Sequence, residues 1–340
     1  MASGAAHAQD ALTAYGVLDI FATRIAADGV PVAVRIDSSG LLASRVGLRN
    51  AHELGGGLRA NMVIEIGLNQ DDGSSPDANR YANRQAWVGL SGRFGEVRLG
   101  RQNTPQFYMN GKYDAFTSAT QGSGWNNLFG APPRTDNAIA LISPALAGFK
   151  VQALLARGAT GGAAPAAETA GNQNLHFAAE YEQGPLYAGV NHQSVKSATP
   201  GPSMRRTSAG ASYAFAARWT AFGAAGVEVR ADRSVSTRLV SLSARYQALP
   251  TTSLAFGWAG LRDQLDGPWH GNASEISAML RHLLSKRTSV YGALSRLSQD
   301  GLRNSFFLGG SAVVAPGAQI RSSVPGGAIS GVQLGLLHSF

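Results

Sequence analysis

The chain has 340 residues, no cysteine, 42 glycines, 14 prolines, 44% apolar and 15% charged residues, and a formal net charge of +8. The absence of cysteine excludes disulfides and thiolate metal sites, the apolar content argues against disorder, and no stretch approaches the roughly 18 uninterrupted apolar residues of a membrane-spanning helix. The excess cations are mostly Arg, spread singly with no basic block, zinc-finger or helix-turn-helix pattern, so no nucleic-acid partner is expected.

In residues 1–11, Ala6-His7-Ala8 has the small-x-small look of a signal-peptidase site, and no apolar core precedes it. This stretch reads as an N-terminal tail or the remnant of an export signal, and residues 12–340 as one domain. From there period two dominates and helix signals are scarce. In 12–23 one parity carries Leu12, Ala14, Leu18 and Ile20, the other Thr13, Tyr15, Asp19 and Thr23. Segments 42–51 and 57–68 follow, the second with Met62, Ile64 and Ile66 opposite Arg59, Asn61 and Glu65. Next come 83–92, 95–101, 134–143 and 148–157, the last with Val151 and Leu155 opposite Lys150 and Gln152. In 174–182, Leu175 and Phe177 alternate with His176 and Glu180. Segments 186–193, 207–214, 219–229, 237–246, 253–262, 273–282 and 288–298 continue the pattern. The chain ends on 331–340, with Val332, Leu334, Leu336, His338 and Phe340 on one parity.

Most of these sixteen segments run about 8–12 residues, the length a tilted strand needs to cross a bilayer. Their connections alternate in character. Those at 52–56, 93–94, 183–185, 215–218 and 283–287 are short; those at 24–42, 69–82, 102–133, 157–173 and 299–330 are long and rich in Gly, Ser, Asn and Pro. An outer-membrane barrel places short turns on its periplasmic side and longer loops outside. The competing architecture is a soluble sandwich or β-helix, whose water-facing parity should be rich in Lys and Glu. Here that parity carries Arg, Glu, Asn, Tyr and Gly, with little Lys, which suits an aqueous lumen. The expected fold class is all-β: a 16-stranded antiparallel transmembrane β-barrel.

Several strings, in order along nearly the whole chain, resemble the Gram-negative general porins of the β-proteobacterial type. They include Tyr15-Gly16-Val17-Leu18-Asp19, Ser44-Arg45-Val46-Gly47-Leu48-Arg49, Glu53-Leu54-Gly55-Gly56-Gly57-Leu58, N-R-Q-A-W-V-G-L-S-G from Asn83 and F-G-E-V-R-L-G-R-Q from Phe94. Ser143-Pro144, Gly148-Phe149, Leu284-Ser285-Lys286-Arg287-Thr288 and the terminal Phe340 complete the set. Asn50-Ala51-His52 and Leu141 depart from the family pattern. The resemblance implies a multi-pass homotrimer of the Gram-negative outer membrane, in contact with outer-membrane lipid, lipopolysaccharide and the barrel-assembly machinery. It also implies passive diffusion of small hydrophilic solutes and inorganic ions, with no cofactor, and it makes Phe340 an assembly signal.

The same resemblance makes 102–133 the loop that folds inward to narrow the lumen. Tyr108, Tyr113, Phe116 and Trp125 are its candidate wall-packing anchors, and Lys112, Asp114, Asn126 and Asn127 its candidate constriction residues. Opposite it the family places basic residues, here Arg45, Arg84 and Arg134; Arg49 lies four residues from Arg45 and shares its face. Arg84 has the parity of Ala86 and Val88, so the resemblance, more than the alternation, turns it inward. In water-like dielectric each charge about 8 Å away attracts an anion by about 0.5 kcal/mol. Three give about tenfold enrichment before salt screening. A weak to moderate anion preference is therefore expected, offset by Asp19, Glu65 or Asp136 wherever these approach the constriction.

Other classes fit less well. The seven His residues show no metal-ligand spacing, and there is no Gly-x-Ser-x-Gly elbow or P-loop to suggest an enzyme. A surface adhesin would work through its loops, which carry no recognisable signature. Within channels, the alternative is a pore selective for organic acids or oligosaccharides, since the same barrel supports both.

Overall fold

A computed structural model describes residues 12–117, 120–130, 132–157, 173–196, 203–267, 270–302, 305–309 and 319–340. The tail at 1–11 and the connection at 158–172 lie outside the described residues. The strands in the first half are β1 (Thr13–Ala27), β2 (Ala33–Ser38), β3 (Arg45–Gly55), β4 (Leu58–Gly67), β5 (Gln85–Gly92), β6 (Gly95–Asn103), β7 (Arg134–Ile142) and β8 (Phe149–Arg157). Those in the second half are β9 (Gln173–Gln183), β10 (Leu186–Val195), β11 (Met204–Ala216), β12 (Trp219–Arg230), β13 (Ser236–Leu249), β14 (Thr252–Asp263), β15 (Ala273–Leu283), β16 (Thr288–Gln299) and β17 (Ile329–Ser339). Two short helices, α1 (Pro105–Asn110) and α2 (Gly124–Phe129), sit between β6 and β7. No described helix is long and apolar enough to cross a membrane; the crossing elements are strands.

The ladders are antiparallel, and β1 closes onto β17 from Val17↔Ser339 to Ala27↔Ile329. β1 also pairs with both β2 and β3, which are the two halves of one interrupted strand. The result is a closed barrel of sixteen strands. Closure leaves no sheet edge unpaired in hydrocarbon.

Alternation sets the two faces. Ile64, Ile66, Val88, Leu99, Phe177, Phe256 and Leu334 are exposed on the outer wall, while Asp19, Thr23, Glu65, His176, Glu180 and Gln333 are buried inside. Near the short turns the outer wall carries aromatic rings: Phe149 against Tyr181, and Trp219 against Tyr246, each at 4.7 Å between centroids. Such a girdle marks a membrane–water interface.

The expected strands match the observed ones within a few residues, with one addition. Residues 24–42 read as loop, yet β1 runs on to Ala27 and β2 fills 33–38. The interruption at 39–44 is held by Asp19. Its carboxylate accepts from the Leu41 and Leu42 amides at 2.6 and 2.7 Å and from the Tyr291 hydroxyl at 2.6 Å. Its own carbonyl accepts from the Ser39 amide and the Ser44 hydroxyl.

Candidate pore constriction

The described residues of the stretch 104–133 run along the inside of the barrel. α1 packs against β8, β9 and β10, and α2 against β13, β14 and β15. Each helix starts on a side-chain cap, Thr104 accepting from the Phe107 amide and Ser123 from the Asn126 amide. The wall receives the loop's large side chains in hollows left by inward glycines. Met109 lies over Gly189, Tyr113 over Gly210, Phe129 over Gly226 and Phe116 over Gly257.

Polar bonds fasten the far end. Asn127 Nδ2 donates to both Glu275 carboxylate oxygens, at 2.9 and 3.2 Å. Gln121 Nε2 donates to the Ala293 carbonyl at 3.1 Å, and Ser295 Oγ to the Gln121 carbonyl at 3.0 Å. Thr117 Oγ1 reaches the Leu41 carbonyl at 3.3 Å. The loop thus lines one side of the lumen and leaves the wall of β3 to β7 open except where Phe107 approaches Arg134 and the Tyr108 hydroxyl donates to Gln85 at 3.4 Å.

That open wall carries the arginines. Glu65 on β4 sits between two of them, accepting from Arg84 Nε at 2.6 Å and pairing with Arg45 Nε at 3.2 Å; the Tyr15 hydroxyl donates to it at 3.0 Å. Arg134, at the start of β7, is 7% exposed and lies over the Phe107 ring at 5.6 Å. Its Nε and Nη2 are buried without a hydrogen-bond partner among the described residues. Arg101 and Arg80 both pair with Asp136, and Arg80 also pairs with Asp77 at 2.8 Å. Five guanidinium groups (Arg45, Arg80, Arg84, Arg101, Arg134) therefore face three carboxylates (Glu65, Asp77, Asp136). Arg49 shares the inner face of β3 but lies further toward the short turns, over the Tyr15 ring at 5.5 Å.

Several expected positions shift. Asp19 is on the lumen parity but fully buried in the strand interruption, so it does not reach the aperture. Glu65 and Asp136 are the partners of the arginines. The four loop residues lie between loop and wall. Lys112 pairs with Glu182 at 2.7 Å and Glu180 at 3.3 Å, and Asp114 accepts from Ser123 Oγ at 2.5 Å. Burial works against the Lys112 charge, yet the two carboxylates overcome it and hold its pKa above the usual lysine range. Asn126 and Asn127 are buried in α2. Tyr113, Phe116 and Trp125 do pack on the wall, whereas Tyr108 is 38% exposed.

Arg84 precedes β5, in a bend, so strand parity does not govern it; within the strand Trp87 faces in and stacks under Arg98 at 4.3 Å. The alternation gives no hint of Arg101. A register shift between Gly100 and Gln102, with Gly100 at φ 125°, brings it into the cluster. No group of three His, Asp or Glu side chains among the described residues is placed to hold a metal ion.

A closed barrel with an apolar outer wall, a charged lumen and a loop folded into that lumen defines a membrane channel. A sequence profile described as Gram-negative porin matches residues 1–302. Outer membrane porin protein 32 of Delftia acidovorans is 30% identical over 367 aligned residues, covering 100% of this chain and 97% of that one. Among solved structures, the anion-selective porin from Comamonas acidovorans superimposes with a TM-score of 0.79 at 24% identity, covering 98% of this chain and 100% of that chain. The trimer form of OmpT from Vibrio cholerae gives 0.71 at 12% identity, with 97% and 99% covered. The chain belongs to the Gram-negative porin family, and its place is the outer membrane.

Proposed function

We propose that this porin is a trimeric diffusion channel for small hydrophilic solutes with a weak to moderate preference for anions. Passage is passive and needs no cofactor or catalytic step. The observation that carries the reading is the excess of guanidinium over carboxylate at the open wall, with Arg134 lacking a carboxylate of its own. Two positive charges in excess, each worth about 0.5 kcal/mol at about 8 Å in water-like dielectric, enrich an anion about fivefold before screening. This is less than three unopposed arginines would give, because Glu65 sits between Arg45 and Arg84. The Comamonas acidovorans relative is described as anion-selective and the Vibrio cholerae one as a trimer, which agrees with the proposal. The test is the reversal potential of single channels in a tenfold potassium chloride gradient. A potential on the chloride side supports the reading; one on the potassium side refutes it.

The alternative reading is a pore selective for organic acids or oligosaccharides, since the same barrel supports both. Liposome swelling with solutes of graded size separates the two channel types. Smooth size dependence marks general diffusion, and saturation by an organic acid marks a selective pore.

A further inference from the structure

The rings of the inward loop are not all used for packing. Tyr113, Phe116, Trp125 and Phe129 are buried against the wall, whereas Tyr108 on α1 is exposed. Because α1 stands inside the barrel, the part of Tyr108 left uncovered meets the water of the channel.

The hydroxyl end of Tyr108 is tethered. It donates to Gln85 Oε1 at 3.4 Å, and Trp87 Nε1 donates to the same oxygen at 3.1 Å. An amide oxygen has two lone pairs and can serve both donors. One side chain thus fixes two aromatic groups, one on the loop and one on β5. Their faces differ. Inward rings of this barrel carry a cation on the face: Arg49 over Tyr15, Arg98 over Trp87, Arg134 over Phe107 and Arg245 over Phe222. Among the described residues no cation stands over Tyr108, which meets Phe107 in a T-shaped pair at 6.0 Å between centroids.

The charge nearby is placed by strand register. Gln85 is the direct partner of Glu65 in the β4–β5 ladder, and side chains so paired have Cβ atoms about 4.5–5.5 Å apart. Glu65 in turn holds Arg84 and Arg45. Arg84 is buried, but Arg45 keeps 21% of its side chain exposed. From Tyr108 the contacts therefore run through Gln85 and Glu65 to a guanidinium that water reaches.

We propose that Tyr108 and Arg45 select aromatic carboxylates from the anions this channel admits, the carboxylate resting on Arg45 and the ring against Tyr108, with Gln85 as the positioning residue. The inference rests on the anion-preferring reading above and adds a solute class to it. An inorganic anion uses the charge alone. An aliphatic acid of equal charge and size adds apolar contact but has no π face. An offset or edge-on ring pair favours the aromatic acid by about twofold to tenfold beyond its area. That gives preference while leaving the solute free to depart, as conduction requires.

The test uses the full-length protein in planar bilayers with potassium chloride. Benzoate, cyclohexanecarboxylate and acetate are each titrated, and the concentration giving half-maximal reduction of the single-channel current is read. Benzoate is expected to act at a concentration about threefold or more below that of cyclohexanecarboxylate, and acetate to show no saturation. Tyr108→Leu should erase the difference between the two ring acids, and Tyr108→Phe, which keeps the ring, should preserve it. Gln85→Leu frees the hydroxyl and should reduce the difference about twofold. A ratio between two acids of matched size is insensitive to a change of bore, so it separates stacking from a general shift of the loop. Heat-modifiable migration identifies assembled variants, and the comparison on the parent protein needs no variant. Equal action of benzoate and cyclohexanecarboxylate on the parent, or a benzoate advantage that survives Tyr108→Leu, overturns the proposal. The reversal potential recorded on the same channels keeps the two readings apart. A potential on the chloride side without a benzoate advantage rejects the aromatic site alone; one on the potassium side rejects the anion preference beneath it.

Discussion

Asn127, on a helix inside the barrel, donates from a single amide nitrogen to both carboxylate oxygens of Glu275 on the opposite wall. This contact fastens the inward loop far from its root at β6. The Ser277 hydroxyl donates to the same carboxylate at 3.0 Å. Replacing Glu275 with Ala leaves one N–H of the buried Asn127 amide without an acceptor, while the other keeps the Gln121 carbonyl at 2.8 Å; the loss is about 1–3 kcal/mol. A displaced loop then gains about fivefold to 150-fold in population. Single-channel recordings of Glu275→Ala should show frequent current steps absent from the parent. Glu275→Gln keeps an acceptor oxygen and should stay quiet; equally quiet traces from both variants would remove the loop-anchoring role.

The charge cluster predicts changes of opposite sign. Removing Arg134 takes away one of two excess charges, so Arg134→Gln should lower the anion-to-cation permeability ratio about twofold. Replacing Arg45, Arg84 and Arg134 together leaves Arg80 and Arg101 against three carboxylates, and the preference should pass to cations. Glu65→Gln should raise the anion ratio about twofold, because two arginines lose their shared partner. The measurement is the reversal potential in a salt gradient; a Glu65→Gln ratio that falls would contradict the electrostatic account.

Tyr113 rests on Gly210, where any Cβ would meet its ring. Gly210→Leu overpacks the hollow by about 1–3 kcal/mol and should push the loop into the lumen or off the wall. Liposome swelling rates for disaccharide-sized solutes relative to glycerol would register either shift. An unaltered size profile in correctly assembled protein would show that the loop is held without this seat.

Phe340 completes the barrel seam. Its amide and carbonyl exchange bonds with Gly16 at 3.1 Å each, and its ring covers the same glycine. Deleting it should reduce the heat-modifiable oligomer recovered from outer membranes severalfold; the same yield as the parent chain would exclude a part in assembly.

The strands were legible because a lipid-facing wall imposes a strict two-residue rhythm that any window of the sequence shows. β17 and β4 are examples, read almost to the residue. β2 escaped although Val34 and Ile36 alternate with Arg35 and Asp37, because Gly29, Pro31 and Gly40 around it look like loop. The site was legible in part. Arg45 follows strand parity, but Arg84 turns in from a bend and Arg101 from a bulge, and both are settled by distant partners, Glu65 and Asp136. The loop's helices are six residues each and owe their form to the wall, so local propensity says little about them. Asp19 shows the converse: its parity was clear, but its task at the strand interruption depends on Leu41, Leu42 and Tyr291, which only folding brings near.

The glycines beneath Met109, Tyr113, Phe116 and Phe129 have a consequence for how such a pore changes over generations. Its calibre is governed by four missing side chains on strands remote from the opening. A single methyl gained on β11, β12 or β14 meets the ring of Tyr113, Phe129 or Phe116 and re-seats the loop without touching an arginine. Bore and charge are thus separate dials, and a bacterium meeting larger nutrients or unwelcome drugs can turn one while leaving the other alone.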